Sequence, residues 1–157
     1  MSSETTTSTV AHATFVIDRV FEAPIDRVWD AFAVPELHRQ WFGGDDNFTA
    51  TEDSDDFRVG GGAVNDGQWH GGPTSRFVST YTDIVEKQRI VTTYDMQVGG
   101  EHLSTSVTST EFDAVDGGRT RVVYTEHAVF LDGKDDGSQR EAGSRGIFDQ
   151  LAAYLAR

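Results

Sequence analysis

The histidines, acids, glycines and serines of this 157-residue chain are the residues whose types and spacing could do chemistry. The five histidines, His12, His38, His70, His102 and His127, contain no pair at the i,i+4 spacing of a helical zinc site, so they form no ligand constellation. Asp53, Asp55 and Asp56 bunch like calcium ligands, but their D-x-D-D order lacks the glycine and terminal glutamate of an EF-hand loop. No metal is expected. Gly60, Gly61 and Gly62 look like a phosphate-cradling loop, yet no Lys-Ser/Thr follows and the context is strand to strand, which excludes nucleotide binding. No cofactor is expected either. Serines are plentiful, but GGPTSRF has the wrong spacing for a nucleophile elbow and EAGSRG offers only G-S-R-G, so a Ser-His-Asp hydrolase is unsupported. Glu126 is the acid that stands out. It lies in an alternating run from Thr120 to Phe130, where Val122, Tyr124, Glu126 and Ala128 share one face and Val123, Thr125, His127 and Val129 the other. Both faces carry apolar residues, so alternation alone leaves open which of them is buried.

The elements that must position these groups begin at Phe15. Phe15, Ile17 and the residues around Val20 and Phe21 recur with a period near two until Pro24 interrupts them. Pro24 opens a helix with Asp26 in its first turn, Ile25, Val28, Trp29 and Phe32 on one face, and Arg27 and Asp30 left for water. Pro35 restarts the pattern through Leu37, Trp41 and Phe42, and Gly43-Gly44 end it. Strand-like segments follow at Phe48 to Glu52, Gly62 to Trp69, Ser75 to Val85, Arg89 to Val98, Leu103 to Asp113 and Thr120 to Phe130. Turn chemistry at Asp66-Gly67, Gly71-Gly72-Pro73, Gly99-Gly100 and Asp116-Gly117-Gly118 separates them, which predicts an antiparallel meander. The alternation that turns Trp69 inward turns His70 outward. A last helix is expected over 136–156, with Ile147, Phe148, Leu151, Tyr154 and Leu155 on its buried face and Arg140, Glu141, Arg145, Asp149 and Arg157 in water. Gly143 and Gly146 are unusual there, since each costs about 1 kcal/mol against alanine. Either the helix backbone approaches the sheet or a bound molecule closely, or this half of the helix is loose.

Composition limits the partners. The net charge is −13 and the only lysines are Lys87 and Lys134, which argues against nucleic acid and against anionic membranes. The acid clusters at Asp45-Asp46, Glu52 to Asp56 and Asp132 to Asp136 read as solvated loops, and a surface adapted to high salt is another source of such acidity. With no cysteine, disulfides and thiolate chemistry are excluded, and the cytoplasm is the expected compartment. Residues 1–12 read as a disordered tail with neither a signal peptide nor an anchor, and 13–157 as one domain.

The order of a first strand, EAPIDRVWDAF, VPELHRQWFGG, FRVGGGAVNDG, a run of strands and GSRGIFDQLAAYL resembles the Hsp90-ATPase-activator-homologue type of the SRPBCC (START/Bet v1-like) superfamily, from about Phe15 to Leu155. The resemblance implies an α+β helix-grip fold: a curved antiparallel sheet, two short helices and one long C-terminal helix enclosing a cavity. It also implies that the Val122 face points inward, which would bury Glu126. A buried carboxylate must be paired or protonated, so Glu126 is either the partner of an arginine such as Arg58 or a proton donor or acceptor. Trp41, Phe42, Trp69, Phe77, Tyr81, Tyr94, Tyr124 and Phe148 are candidates to line the cavity, with Arg58 as an anchor for a carbonyl or anionic group. The expected function is binding of a small hydrophobic or amphipathic molecule. The alternatives are a cofactorless enzyme on an aromatic or polyketide-like substrate, using Glu126 or a tyrosine, and a co-chaperone-type regulator of an Hsp90-like ATPase. An Hsp90-type partner is the least expected, because there is no basic patch to meet an acidic surface, whereas a homodimer is compatible with the sequence.

Overall fold

A computed structural model describes residues 8–43 and 46–157. The elements run β1 (Val10–Phe21), α1 (Ile25–Ala33), α2 (Pro35–His38), β2 (Phe48–Asp55), β3 (Gly62–Trp69), β4 (Thr74–Val85), β5 (Arg89–Val98), β6 (Glu101–Val115), β7 (Arg119–Leu131) and α3 (Ser138–Leu155). The seven strands form one antiparallel sheet in the order β1-β7-β6-β5-β4-β3-β2. From β2 to β7 this is a meander, and β1 returns to the far edge, where Phe15 faces Glu126 and Ile17 faces Tyr124. No helix of the described residues is long and apolar enough to cross a membrane.

Local sequence explains the two short helices. Pro24 caps α1 with an extended backbone, and Val28, Trp29 and Ala31 are its buried residues. Val34 precedes Pro35 and is forced out of the helical region, to φ −95° and ψ 115°, so α1 stops there and α2 starts a new turn. The Trp41 indole then donates to the Ala31 carbonyl at 3.0 Å, pinning the end of the second turn to the first helix. At the start of β3 the chain passes close both to its own preceding loop and to β4. A Cβ at Gly61 would lie 2.2 Å from the Asp56 carbonyl oxygen, and one at Gly62 2.5 Å from that of Ser79. Beside those glycines Phe57 lies edge-on to Tyr81 at 5.0 Å and to Trp29 at 5.9 Å, and it is Phe57 that joins the cavity wall. The core lies between the concave face of the sheet and α1 and α3, with Phe21, Trp29, Phe112, Val122, Phe148, Leu151 and Leu155 at its centre.

Four expectations are corrected. β1 begins at Val10, paired with Leu131, so residues 10–12 belong to the sheet; residues 1–7 of the expected tail, like Gly44 and Asp45, lie outside the described residues. Glu52 to Asp55 form the second half of β2, an edge strand whose charges suit its exposed position, where a solvated loop was expected. In the acidic run before α3, Asp135 accepts from the backbone N–H groups of Gly137, Gln139 and Arg140, so it caps the helix. Arg27 is not left for water either: its guanidinium donates to the Leu155 carbonyl at the end of α3, where the helix dipole favours a cation.

Candidate functional site

Between the sheet and α3 lies a cavity of about 680 Å³, within the range usual for small-molecule sites. Its aromatic wall contains Trp41, Phe42, Trp69, Phe77, Tyr81, Tyr94, Tyr124 and Phe148. These are all of the aromatic candidates named from sequence. They reach one space because strand alternation and the curvature of the sheet turn Phe77, Tyr81 and Tyr94 inward on β4 and β5, while α2 and its following turn carry Trp41 and Phe42 across the mouth. Phe42 sits edge-on to Phe77 at 5.2 Å, and Phe77 lies 4.9 Å from Tyr94, so the rings form a continuous surface. Trp69 is 37% exposed and packs on Phe48 at 5.0 Å, which places it at the rim.

The helix side of the cavity includes Gly143, Ser144, Gly146 and Ile147. A Cβ at Gly143 or Gly146 would meet nothing within 4 Å. Close packing of α3 on the sheet therefore does not explain these glycines; they leave room along the cavity.

The deep end is polar. Glu126 is wholly buried, and its Oε2 accepts from the Tyr94 hydroxyl at 2.7 Å, the Ser106 hydroxyl at 2.8 Å and Arg140 Nη1 at 3.0 Å. Oε1 accepts from the Tyr124 hydroxyl at 2.6 Å. Arg140, 12% exposed, also donates through Nη2 to the Ser104 hydroxyl at 2.6 Å and stacks over the rings of Tyr94 and Phe130. Burial pushes the Tyr94 and Tyr124 phenols well above their ordinary range; for Tyr94 the Arg140 cation pulls partly the other way. Burial works against the charge on Arg140, but neighbouring Tyr94 and Glu126 hold its pKa above the ordinary value. The cluster is thus an ion pair wrapped by neutral hydroxyls, and among the described residues no buried side-chain polar atom lacks a partner.

Two named site residues are corrected here. Arg58 is exposed, pairs with Asp56 at 2.8 Å and is absent from the cavity wall, because Gly60 and Gly61 turn its segment outward after Phe57. Glu126 lies behind Tyr94, Tyr124 and Arg140 and is not part of the cavity wall, so it organises the cavity floor from beneath. Its cation is Arg140, a residue assigned to water from its charge. The signal was present in helical periodicity: Arg140, Ser144, Phe148, Leu151 and Leu155 make one stripe along α3.

A second polar cluster at the mouth was not foreseen. His38 Nδ1 lies 3.2 Å from Asp55 Oδ2, and Asp55 Oδ1 accepts from the Tyr81 hydroxyl at 2.8 Å. Burial, and then the Asp55 charge, drive the Tyr81 phenol strongly upward, so it is the donor of that bond. The three clustered aspartates diverge, with Asp53 on Arg39, Asp55 on His38 and Asp56 on Arg58. Among the described residues no group of three His, Cys, Asp or Glu side chains could hold a metal.

A curved seven-stranded antiparallel sheet gripping one long helix over an aromatic cavity defines a helix-grip, Bet v1-like protein. The chain belongs to the family of Activator of Hsp90 ATPase homolog 1-like proteins, whose model matches residues 22–156. The three-dimensional structure of a Rhizobium leguminosarum protein is similar at 39% identity and a TM-score of 0.91, covering 97% of this chain and 99% of its own. The Mll3558 protein of Rhizobium loti is 42% identical, with a TM-score of 0.85 over 94% of this chain and 99% of its own. An AHSA1-like protein from Aeromonas hydrophila shares the fold at 23% identity and a TM-score of 0.68, each chain covered to 92%. No curated protein matches the sequence.

Proposed function

We propose that this protein binds one small hydrophobic or amphipathic molecule, in the cytoplasm, with the apolar part against the ring wall and a polar end toward the Arg140 cluster. One observation carries the reading: a space of about 680 Å³ left open among aromatic side chains, where a domain with no ligand to hold would gain from filling it. The tyrosine-wrapped ion pair supports it, because a fixed and fully bonded polar floor orients a ligand without rearranging. The family name suggests an Hsp90-type ATPase as a partner, but the chain's acidity and the position of the polar groups inside the cavity favour a small molecule.

Native mass spectrometry of freshly purified protein tests this directly by looking for a co-purified molecule. A flat apolar library screened by thermal shift complements it, since a ligand at 100 times its Kd stabilises the native state by about 2.7 kcal/mol. Binding near one per chain is expected. No adduct and no shift across the library, together with saturable stimulation of an Hsp90-type ATPase, would reverse the assignment.

A further inference from the structure

His38 is held in a way that a core histidine does not require. Its ring is stacked on Phe42 at 4.6 Å and 16°, and meets Trp41 edge-on at 5.0 Å, so it cannot turn freely. Asp55, its partner through Nδ1, has a side chain only 5% exposed and is fixed from the other side by Tyr81. Among the described residues Asp55 has no arginine or lysine partner, so the imidazole is the one basic group it faces. A carboxylate accepts hydrogen bonds, so Nδ1 carries a proton, and in the neutral imidazole the lone pair is then on Nε2. No hydrogen bond to Nε2 occurs among the described residues, and no buried side-chain polar atom there is without a partner, so Nε2 opens on free space. His38 is part of the cavity wall, and with Nδ1 taken by Asp55 the ring nitrogen left uncommitted among the described residues is Nε2. Among the described residues no serine or threonine hydroxyl bonds to the ring, so this dyad has no nucleophile to activate.

We propose that His38, oriented by Asp55, is a general base acting on a carbon acid bound in the cavity: an enolisable carbonyl compound on an aromatic or conjugated frame. Nε2 takes the proton from the carbon beside the carbonyl, the C–H electron pair becomes the new C=C bond, and the carbonyl π pair moves onto oxygen as an enolate. The imidazolium formed faces the Asp55 carboxylate, and the proton returns to the frame at another atom to give the tautomer, so no oxidant or co-reactant is consumed. Asp55 is the positioning residue, and the ring wall supplies the stacking surface. The proposal rests on the binding reading above.

Nitrobenzisoxazole is the probe, since it is a flat aromatic carbon acid whose ring C–H is removed by a base as its N–O bond breaks, releasing a coloured phenolate. Binding is followed separately with the inert analogue nitrobenzotriazole, by tryptophan quenching. The native protein is expected to show saturable elimination. His38→Gln should lose roughly a hundredfold in kcat with KM unchanged, Asp55→Asn should lose kcat in the same sense, and the exposed sheet-face variant His127→Gln should match the native protein. Should His38→Gln fail to fold, Asp55→Asn and a His38→Phe variant, which keeps the ring stacking, carry the same comparison. Analogue binding without elimination, or with equal elimination by the native protein and the His38 variants, overturns the base and leaves the cavity reading standing. The absence of both binding and elimination overturns both.

Discussion

Glu126 illustrates how much a single buried residue depends on partners far away in sequence. Its carboxylate collects hydroxyls from β5, β6 and β7 and the guanidinium of Arg140 on α3, so four elements are fastened at one point. Removing one side of such a pair leaves the other charged and buried. Glu126→Gln is therefore expected to lower stability by about 3–5 kcal/mol in urea melts, and Arg140→Met by a similar amount. The double variant should recover much of the loss, because neither charge is then stranded. A Glu126→Gln protein within about 1 kcal/mol of the native one, by the same measurement, would show that the pair is not what holds Arg140 in place. At this scale the sequence was only half legible. The inward direction of Glu126 followed from strand alternation once the resemblance chose the face, and its need for a cation followed from burial. The identity of that cation did not, since Arg58 was nearer to the strands by motif while Arg140 looked like an ordinary wet helix residue. The pairing of His38 with Asp55 was less legible still: the two stand 17 positions apart, in a helix turn and an acidic run, and neither has a local pattern that points to the other.

Helix α3 is the element in which stability and cavity oppose each other. Its buried residues Phe148, Leu151 and Leu155 sit in the C-terminal half, whereas Gly143 and Gly146 fall where the helix passes the cavity. Neither glycine has a positive φ, and a methyl group at either would meet no atom within 4 Å, so alanine fits both sites without a clash. Gly143→Ala and Gly146→Ala are each expected to raise stability by about 1 kcal/mol through helix propensity. Gly146→Trp should instead place its ring in the cavity and abolish binding of an apolar probe while the protein stays folded, as seen by circular dichroism and fluorescence titration. Undiminished probe binding by that variant would move the binding site elsewhere. The sequence announced the two glycines as anomalies, but not their reason, because a helical wheel shows which face a residue occupies and not how far the opposite wall lies. The same limit applied to β2. Its acidic half has no apolar alternation, so hydrophobic periodicity stopped at Glu52, although backbone pairing with β3 continues to Asp55.

For the molecule as a whole, alternation and the turn residues at Gly71-Gly72-Pro73, Gly99-Gly100 and Asp116-Gly117-Gly118 made the meander readable, because each hairpin is a local event between consecutive strands. Asp66-Gly67, expected to turn, instead lies inside β3 and pairs on both sides. Gly99 and Gly100, with φ of 61° and 81°, supply the left-handed pair that a two-residue hairpin turn needs. The closure of β1 onto β7 is not local, and no pattern in either strand announces it. The cavity between the sheet and α3 is lined by three phenols, Tyr81, Tyr94 and Tyr124, and they give the whole protein a definite alkaline limit. Burial raises all three above the ordinary tyrosine value of 10.0, with the neighbouring Asp55 adding to the rise at Tyr81 and Glu126 adding to it at Tyr94 and Tyr124. The folded protein then holds protons that the unfolded chain gives up. Stability from these groups is complete below pH 10, the value in the unfolded chain, and falls as pH rises above it toward the folded values. Absorbance of tyrosinate and circular dichroism, followed together through an alkaline titration, are expected to show these three phenols ionising in the same step as unfolding. Tyr81→Phe, which removes one proton-linked group, should make the loss of stability with pH less steep. Ionisation of all three phenols while the sheet signal persists would mean that the chamber admits water and hydroxide freely, and that its floor is not a sealed, neutral surface.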